Sequence, residues 1–344
     1  MYRMLTVATA LVATATSCGS SISTSDEAAG NAADGATTTT TASAVESVAP
    51  STDALLLNIS IHVEGHNAEV RNEAEYRAHA QQIREVADAA AAAGASLSFE
   101  VSAPFVDAAV RWSDTILTDL LAQGHAVGVH ADLDVPDLET FTAQLTDMRS
   151  SLAAAGVETA FVSGICSEGP WVEAAIAAGF TASDGMVEWC LKSIPAENWP
   201  AGYDYVGACA SPADCHGSIP GGTERAMHPW FTCTSADWLT DDPDGELLLV
   251  GGSGQGVHCL SEDLRGIQGR CALDEGDIDL FVEMIAEHVA ARTPGEINVL
   301  TLSWSIGNVT TPEMATALFT TVDEAFTDKE VVWSTIPAIE DAVR

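Results

Sequence analysis

From Asp53 to Arg344, short apolar runs alternate with longer helical patterns, and that alternation restricts the fold to a mostly parallel sheet joined by crossover helices. Leu55 to Ile61 reads as a buried strand, and the Ala- and charge-rich stretch from Glu73 to Ala93 as a helix stopped by Gly94. A strand over Leu97 to Val101 follows, then a helix over Asp107 to Ala122 and a short strand over Ala126 to Val129. Pro136, tolerated in a first helical turn, opens a helix that runs to Ala155 and stops at Gly156. Strand Ala160 to Ser163 and helix Pro170 to Ala178 continue the pattern. Met186 to Pro243 breaks it: rich in Cys, Trp, Pro and Gly, this segment reads as a loop-rich excursion pinned by disulfides. Regularity returns in strands Leu247 to Val250, Ile297 to Leu302 and Val331 to Trp333, and in helices Ile278 to Ala291 and Pro312 to Phe326. Roughly six to eight such units in one α/β domain predict a barrel or near-barrel, with its active site where the strands run out at their C-terminal ends.

The first 52 residues lack this pattern. Arg3, an uncharged stretch from Met4 to Ser17 and the small residues Ala15-Thr16-Ser17 fit an export signal over residues 1–17. The stretch is too short for a permanent span, which needs about 20 apolar residues. Ala-Thr-Ser-Cys resembles the lipobox of bacterial lipoproteins, with Ala15 in place of the usual Leu. That resemblance implies that Cys18 is lipidated and anchors the protein to the membrane on its extracytoplasmic side, with no other membrane contact. An ordinary secretory signal cleaved nearby is the alternative, and either way export is expected. Residues 18–52 are low-complexity, include the run Thr37 to Thr41, and read as a disordered tether. This leaves 53–344 as a single domain.

Thirteen basic against 50 acidic residues give a formal net charge of −37, a field that repels nucleic acid and anionic polymers and excludes both as partners. The same composition suits surroundings salty enough to screen self-repulsion. Setting Cys18 aside, seven cysteines remain, and in an exported protein they read as disulfides. Cys209 with Cys215 and Cys259 with Cys271 each close a short loop. Cys166, Cys190 and Cys233 then allow one further bridge and leave one thiol free. Cys166 is also a candidate soft metal ligand, although a disulfide suits it better.

Two strand ends carry ionisable residues where apolar ones would be ordinary. After Ile59-Ser60-Ile61 come His62, Glu64 and His66, which a period of two would place on one side. His130 and Asp134 are four apart, a spacing that puts both on one face of a helical turn and suits two ligands of a divalent metal, zinc or another first-row ion. A helix N-terminus capped by Asp132 or Asp134 is the alternative. The glycine-rich run Gly251 to Gly256, after a buried strand, reads as a loop at a pocket mouth.

The order of elements, together with Gly124-His125-Ala126-Val127-Gly128-Val129-His130, resembles the polysaccharide deacetylase family (carbohydrate esterase family 4, the NodB-type domain). The resemblance implies a distorted (β/α) barrel of the polysaccharide deacetylase and glycoside hydrolase type. It also implies a metal-dependent hydrolase acting on N- or O-acetylated polysaccharide or cell-wall glycan. Glu64 falls on the family's ligand aspartate, His130 on a ligand histidine and Asp134 where the second ligand histidine stands. Val63 falls on the family's base, so His62 or His66 is the candidate replacement. Ser163 and Ser167 would face the developing oxyanion, and Trp171 and Trp304, with Trp230, would stack on sugars. The family's Arg-x-Pro-Tyr motif would fall after the strand at Ala160, where the chain reads Val162-Ser163-Gly164-Ile165-Cys166-Ser167, and its late Leu-His near Leu302-Ser303-Trp304-Ser305, which holds no histidine. These departures keep two rivals open: an inactive carbohydrate-binding protein on the same fold, and a metal-independent glycoside hydrolase using Glu64 and another carboxylate.

Overall fold

The computed structural model describes residues 53–261, 271–306, 310–327 and 329–344; the expected signal, Cys18 and the tether lie outside them. The strands are β1 (Leu55–Val63), β2 (Ser98–Val101), β3 (Ala126–His130), β4 (Phe161–Ser163), β5 (Ala182–Asp184), β6 (Trp230–Thr232), β7 (Leu247–Val250), β8 (Asn298–Ser305) and β9 (Val331–Trp333). They form one sheet in the order β6-β7-β5-β4-β3-β2-β1-β8, parallel throughout except for β6. β9 pairs with the start of β1, Leu55 to Leu57. The sheet curls into a distorted barrel, and the segment after β7 draws its two ends together: Gly256 bridges Ser303, and Ser303 N donates to Gln255 O at 3.1 Å.

Around the sheet lie α1 (Glu73–Ala92), α2 (Ala103–Arg111), α3 (Ile116–Ala122), α4 (Leu138–Ala154), α5 (Trp171–Ala177), α6 (Gly222–Met227), α7 (Glu275–Ala291), α8 (Pro312–Ala325) and α9 (Ile336–Val343). Asn72 and Asp137 cap α1 and α4 with their side chains, as short polar residues do at this position. The single helix expected over Asp107 to Ala122 is two. Ser113 takes a left-handed φ of 51°, and Asp114, bound by Arg77 and Arg84 of α1, caps the second piece through Ile116 N at 2.9 Å. A tertiary ion pair overrides the local helical pattern there.

Alternation along the strands separates two environments. Leu55, Leu57, Ile59, Ile61 and Val63 face the helices in the main core. Leu56, Phe161, Leu248 and Val299 face inward at the bottom of the barrel, plugged by Ile336 and Ile339 of α9. A strand buried on both faces ordinarily reads as a continuous apolar run. On β1 the inward face instead turns polar at Asn58 and stays so through Ser60 and His62. Gly128 is required on that face, because a Cβ there would stand 2.3 Å from the Phe161 ring.

The excursion is pinned as expected. Cys209–Cys215 and Cys259–Cys271 are bridged, and the third bridge is Cys166–Cys190, which removes Cys166 as a metal ligand. No cysteine among the described residues is free, so the expected unpaired thiol does not occur. No helix among these residues is long and apolar enough to cross a membrane.

Candidate active site

The inward faces of β1 to β5 run out together at one end of the barrel. His62 and Glu64 come from β1 and the residue after it, His130 from the last position of β3, and Ser163 from the last of β4. Register groups them: His62 stands opposite Glu100, and His130 opposite Ser163. With Asp132 and Asp184 they line a cavity of about 600 Å³ whose far wall includes Gln255 and His216.

His130 is the centre of the group. Its Nε2 lies 3.1 Å from Glu64 Oε1 and 3.4 Å from Asp132 Oδ1, and its Nδ1 lies 2.8 Å from Ser163 Oγ. Ser163 donates to Glu100 Oε2 at 2.6 Å, so its oxygen accepts from His130 Nδ1. His62 stacks on His130 with ring centroids 4.5 Å apart and directs Nε2 to the same Glu100 oxygen at 3.1 Å. The β3–β4 ladder continues past the strand ends, with Ala131 N donating to Ser163 O and Leu133 N to Gly164 O. That places Asp132 beside His130. Gly164 permits it, at φ +66°, because a Cβ would come 2.7 Å from Asp132 N.

The electrostatics divide the group sharply. Burial opposes charge on His130, but the hydrogen bonds and charges of Asp132 and Glu64 outweigh it and raise its pKa to about 10. The same contacts hold both carboxylates below their usual range. For His62, burial first and the His130 charge second lower the pKa to about 4, so its ring is neutral near pH 7. Burial, and then the neighbouring Glu100, raise Asp184 well above an ordinary carboxyl.

No protein-family model matches the chain and no curated protein matches it. Solved structures do. A candidate polysaccharide deacetylase from Mycobacterium smegmatis superposes with a TM-score of 0.51 at 16% identity, over 86% of this chain and 94% of that one. Another, from Pseudomonas aeruginosa PAO1, gives 0.52 at 10% identity over 84% and 91%. Puue allantoinase gives 0.51 at 14% identity over 87% and 95%. The chain has the polysaccharide-deacetylase fold.

Within the deacetylase fold the expected site residues scatter in instructive ways. His62, Glu64, His130 and Ser163 meet. His66 does not: β1 ends at Val63, the chain leaves the strand at Gly65, and His66 is exposed away from the cavity. The expected helical turn from His130 to Asp134 is absent, since the chain stays irregular until α4. Asp134 reaches only the cavity wall, and Asp132 takes the place beside His130. Ser167 is buried in a turn, its Oγ accepting from Gly169 N at 3.0 Å. Trp171 and Trp304 are fully buried, packed on Trp238 and Phe319, and Trp230 stacks on Trp238, so none of the three offers a face to a sugar. His125 of the Gly124-His125 pair is engaged structurally, receiving Leu97 N on Nδ1 at 3.1 Å and directing Nε2 to Ala87 O.

Sequence reasoning missed Glu100, Asp184 and His216. A signal existed for Glu100, the one charged residue in a short strand with Phe99 and Val101 on either side of it. Asp184 sits on a strand of three residues, too short to show a period, and His216 in the aperiodic excursion.

Proposed function

We propose that this protein is an exported, metal-dependent hydrolase that deacylates N- or O-acetylated polysaccharide at the cell surface. The observation that carries the reading is the Glu64–His130–Asp132 group, whose ligand atoms lie within 4.8 Å of one another beside a neutral His62. One imidazole nitrogen and two ionised carboxylates suit zinc or a similar divalent ion. Ser163 fixes the other nitrogen of His130, the usual support for a ligating histidine. A bound ion would supply Lewis acidity to an acyl carbonyl and to an attacking water. His62 accepts the proton of that water: its Nε2–H is committed to Glu100, which leaves the Nδ1 lone pair as the base.

Among the described residues the cavity lining carries Glu64, Asp132, Asp134 and Asp184 and no Lys or Arg, which favours a neutral glycan over an anionic one. Three disulfides suit an oxidising compartment, in keeping with a signal over residues 1–17, an anchor at Cys18 and a tether over 18–52 that carries the single domain 53–344. Asp184 is the second carboxyl that a glycoside hydrolase would need, but it is 2% exposed and its Oδ2 is engaged by Ser60.

Elemental analysis of the purified protein, beside His130→Ala, Glu64→Ala and His62→Ala variants, tests the reading. Near-stoichiometric zinc should be lost in the first two and kept in the third. Acetate release from acetylated oligosaccharides should stop on chelation. Absence of bound metal after incubation with zinc would leave a carbohydrate-binding protein on this fold, and chelator-insensitive glycan cleavage would leave a glycosidase.

A further inference from the structure

The cavity reaches deeper into the barrel than the proposed reaction needs. Glu64, His130 and Asp132 stand at its rim, whereas Ser60 of β1, Asp184 of β5 and Thr301 and Ser303 of β8 line it further down. Register sets the depth: His62 stands opposite Ser305, Ser60 opposite Ser303, and Thr301 two residues below that. At about 3.3 Å per residue, the strand from Ser305 down to Thr301 spans roughly 13 Å. An acetyl group held at the rim would leave most of that depth, and most of the cavity of about 600 Å³, empty.

Barrel interiors are ordinarily filled by branched apolar side chains. Below Thr301 this one obeys the rule, with Leu56, Leu248 and Val299 packed on Ile336 and Ile339. Above that layer the inward positions of β1 and β8 change to Asn58, Ser60, Thr301, Ser303 and Ser305, small residues with hydroxyl or amide groups. Such side chains leave space and need hydrogen bonds. Most find them within the protein: Asn58 donates to Ser60, Ser60 to Asp184 Oδ2, and Ser303 to Gln255 O at 3.3 Å. Two atoms do not. Thr301 is 4% exposed and Asp184 2%, and neither Thr301 Oγ1 nor Asp184 Oδ1 has a hydrogen-bond partner among the described residues. Buried polar atoms in this state are rare and destabilising, and each calls for a partner from outside the chain.

Shape restricts that partner to a chain end. The apolar layer closes the bottom of the barrel, and the Gly256–Ser303 bridge closes the side between β7 and β8. A polymer cannot thread through, so only a terminal unit reaches Thr301. Chemistry restricts it further. A hydroxyl both donates and accepts, so it pairs with Thr301 Oγ1 and with Asp184 Oδ1 whichever side supplies the proton. We propose that the cavity floor is a subsite for the terminal sugar ring of a neutral glycan, whose hydroxyls pair with Thr301 Oγ1 and Asp184 Oδ1. The inference rests on the hydrolase reading only for the reaction at the rim. The floor takes sugar with or without a metal, and it makes the protein selective for chain ends.

Calorimetric titration of the chelator-treated protein tests this, with trimers of N-acetylhexosamine, hexose and pentose as probes. At least one trimer should bind with a Kd of about 1 mM or tighter. The long polymer of the same sugar, supplied at equal concentration of sugar units, should bind only in proportion to its few ends. Thr301→Val keeps the shape and removes the hydroxyl. It should weaken the trimer about 3–10-fold, the worth of one neutral hydrogen bond. Its urea midpoint should equal or exceed the parent's, because the hydroxyl has no partner in the free protein. Thr301→Ser should retain the parent's affinity. A lower midpoint in Thr301→Val beside unchanged trimer affinity would mean that the hydroxyl serves an internal water, and would overturn the proposal. So would failure of every trimer to bind, or equal binding of trimer and polymer per sugar unit. Trimer binding as stated, in a protein that takes up no zinc and releases no acetate, would sink the hydrolase reading and leave the subsite standing.

Discussion

His62 and His130 touch ring to ring yet differ in charge, His62 neutral near pH 7 and His130 protonated in the metal-free protein, and the proposed division of work follows that difference. His62, neutral and lined along the cavity, suits a base; His130, facing two carboxylates, suits a ligand. On the proposed function, His62→Gln should lower kcat for deacetylation by roughly 10²–10⁴, the ordinary worth of a positioned base, while zinc content stays at the parent level. Equal loss of metal and turnover would make His62 a ligand instead. The same pair gives the metal-free protein a stability optimum. His130 has its pKa raised from 6.5 to about 10 by folding, so its contribution is complete below pH 6.5 and is lost as pH rises toward 10. His62 has its pKa lowered from 6.5 to about 4, so its contribution is present above pH 6.5 and is lost as pH falls toward 4. Urea midpoints measured across that range should peak near pH 6.5. His130→Gln should flatten the alkaline limb and His62→Gln the acid one.

These side chains depend on the elements that deliver them, and most sharply on the turn after β1. A Cβ on Gly65 would stand 2.3 Å from Phe105 N and 2.7 Å from its Cα, backbone that cannot swing aside. Gly65→Ala must move the segment that carries Glu64. It should cost about 1–3 kcal/mol, the usual penalty of overpacking, and weaken zinc binding with it. Gly252→Ala is the control on the same cavity: its nearest neighbour would be 3.8 Å away, so stability and zinc binding should hold. Both are read from denaturation midpoints and metal titrations. At this level the sequence was legible where the signal is local. Leu247–Val250 and Val331–Trp333 can be read to the residue, because apolar runs bounded by turns mark strands directly. The break between α2 and α3 was not, since it depends on Arg77 and Arg84 arriving from α1. His66 was misplaced because a period of two holds only while the strand lasts, and Asp134 because four-residue spacing matters only on a helix. Trp171 and Trp304 were misjudged for another reason: residue type reports what a tryptophan can do, not which side of the sheet it packs on. Glu64, His62 and His130 could be singled out because ionisable residues at the ends of buried strands are costly unless paired, and the structure brings the three together.

The molecule that surrounds this site carries 50 acidic and 13 basic residues, and that imbalance has a consequence for the fold independent of any chemistry in the cavity. At 10 mM salt the screening length is about 30 Å, so carboxylates repel one another across much of the domain; at 1 M it is about 3 Å, and only immediate neighbours interact. Self-repulsion of this kind destabilises the compact state more than the expanded one. The urea midpoint should therefore rise from 10 mM to 1 M sodium chloride, steeply at first and then levelling off once the screening length falls below the spacing of the charges. Exclusion of a cosolvent from the surface would also stabilise, but without such saturation. A titration with sucrose at constant low salt separates the two, because it leaves the charges unscreened and should give a gradual rise with no plateau. If the two curves have the same shape, repulsion is not what limits the stability of this domain. The acidic surface would then act on solubility and on the choice of partners alone.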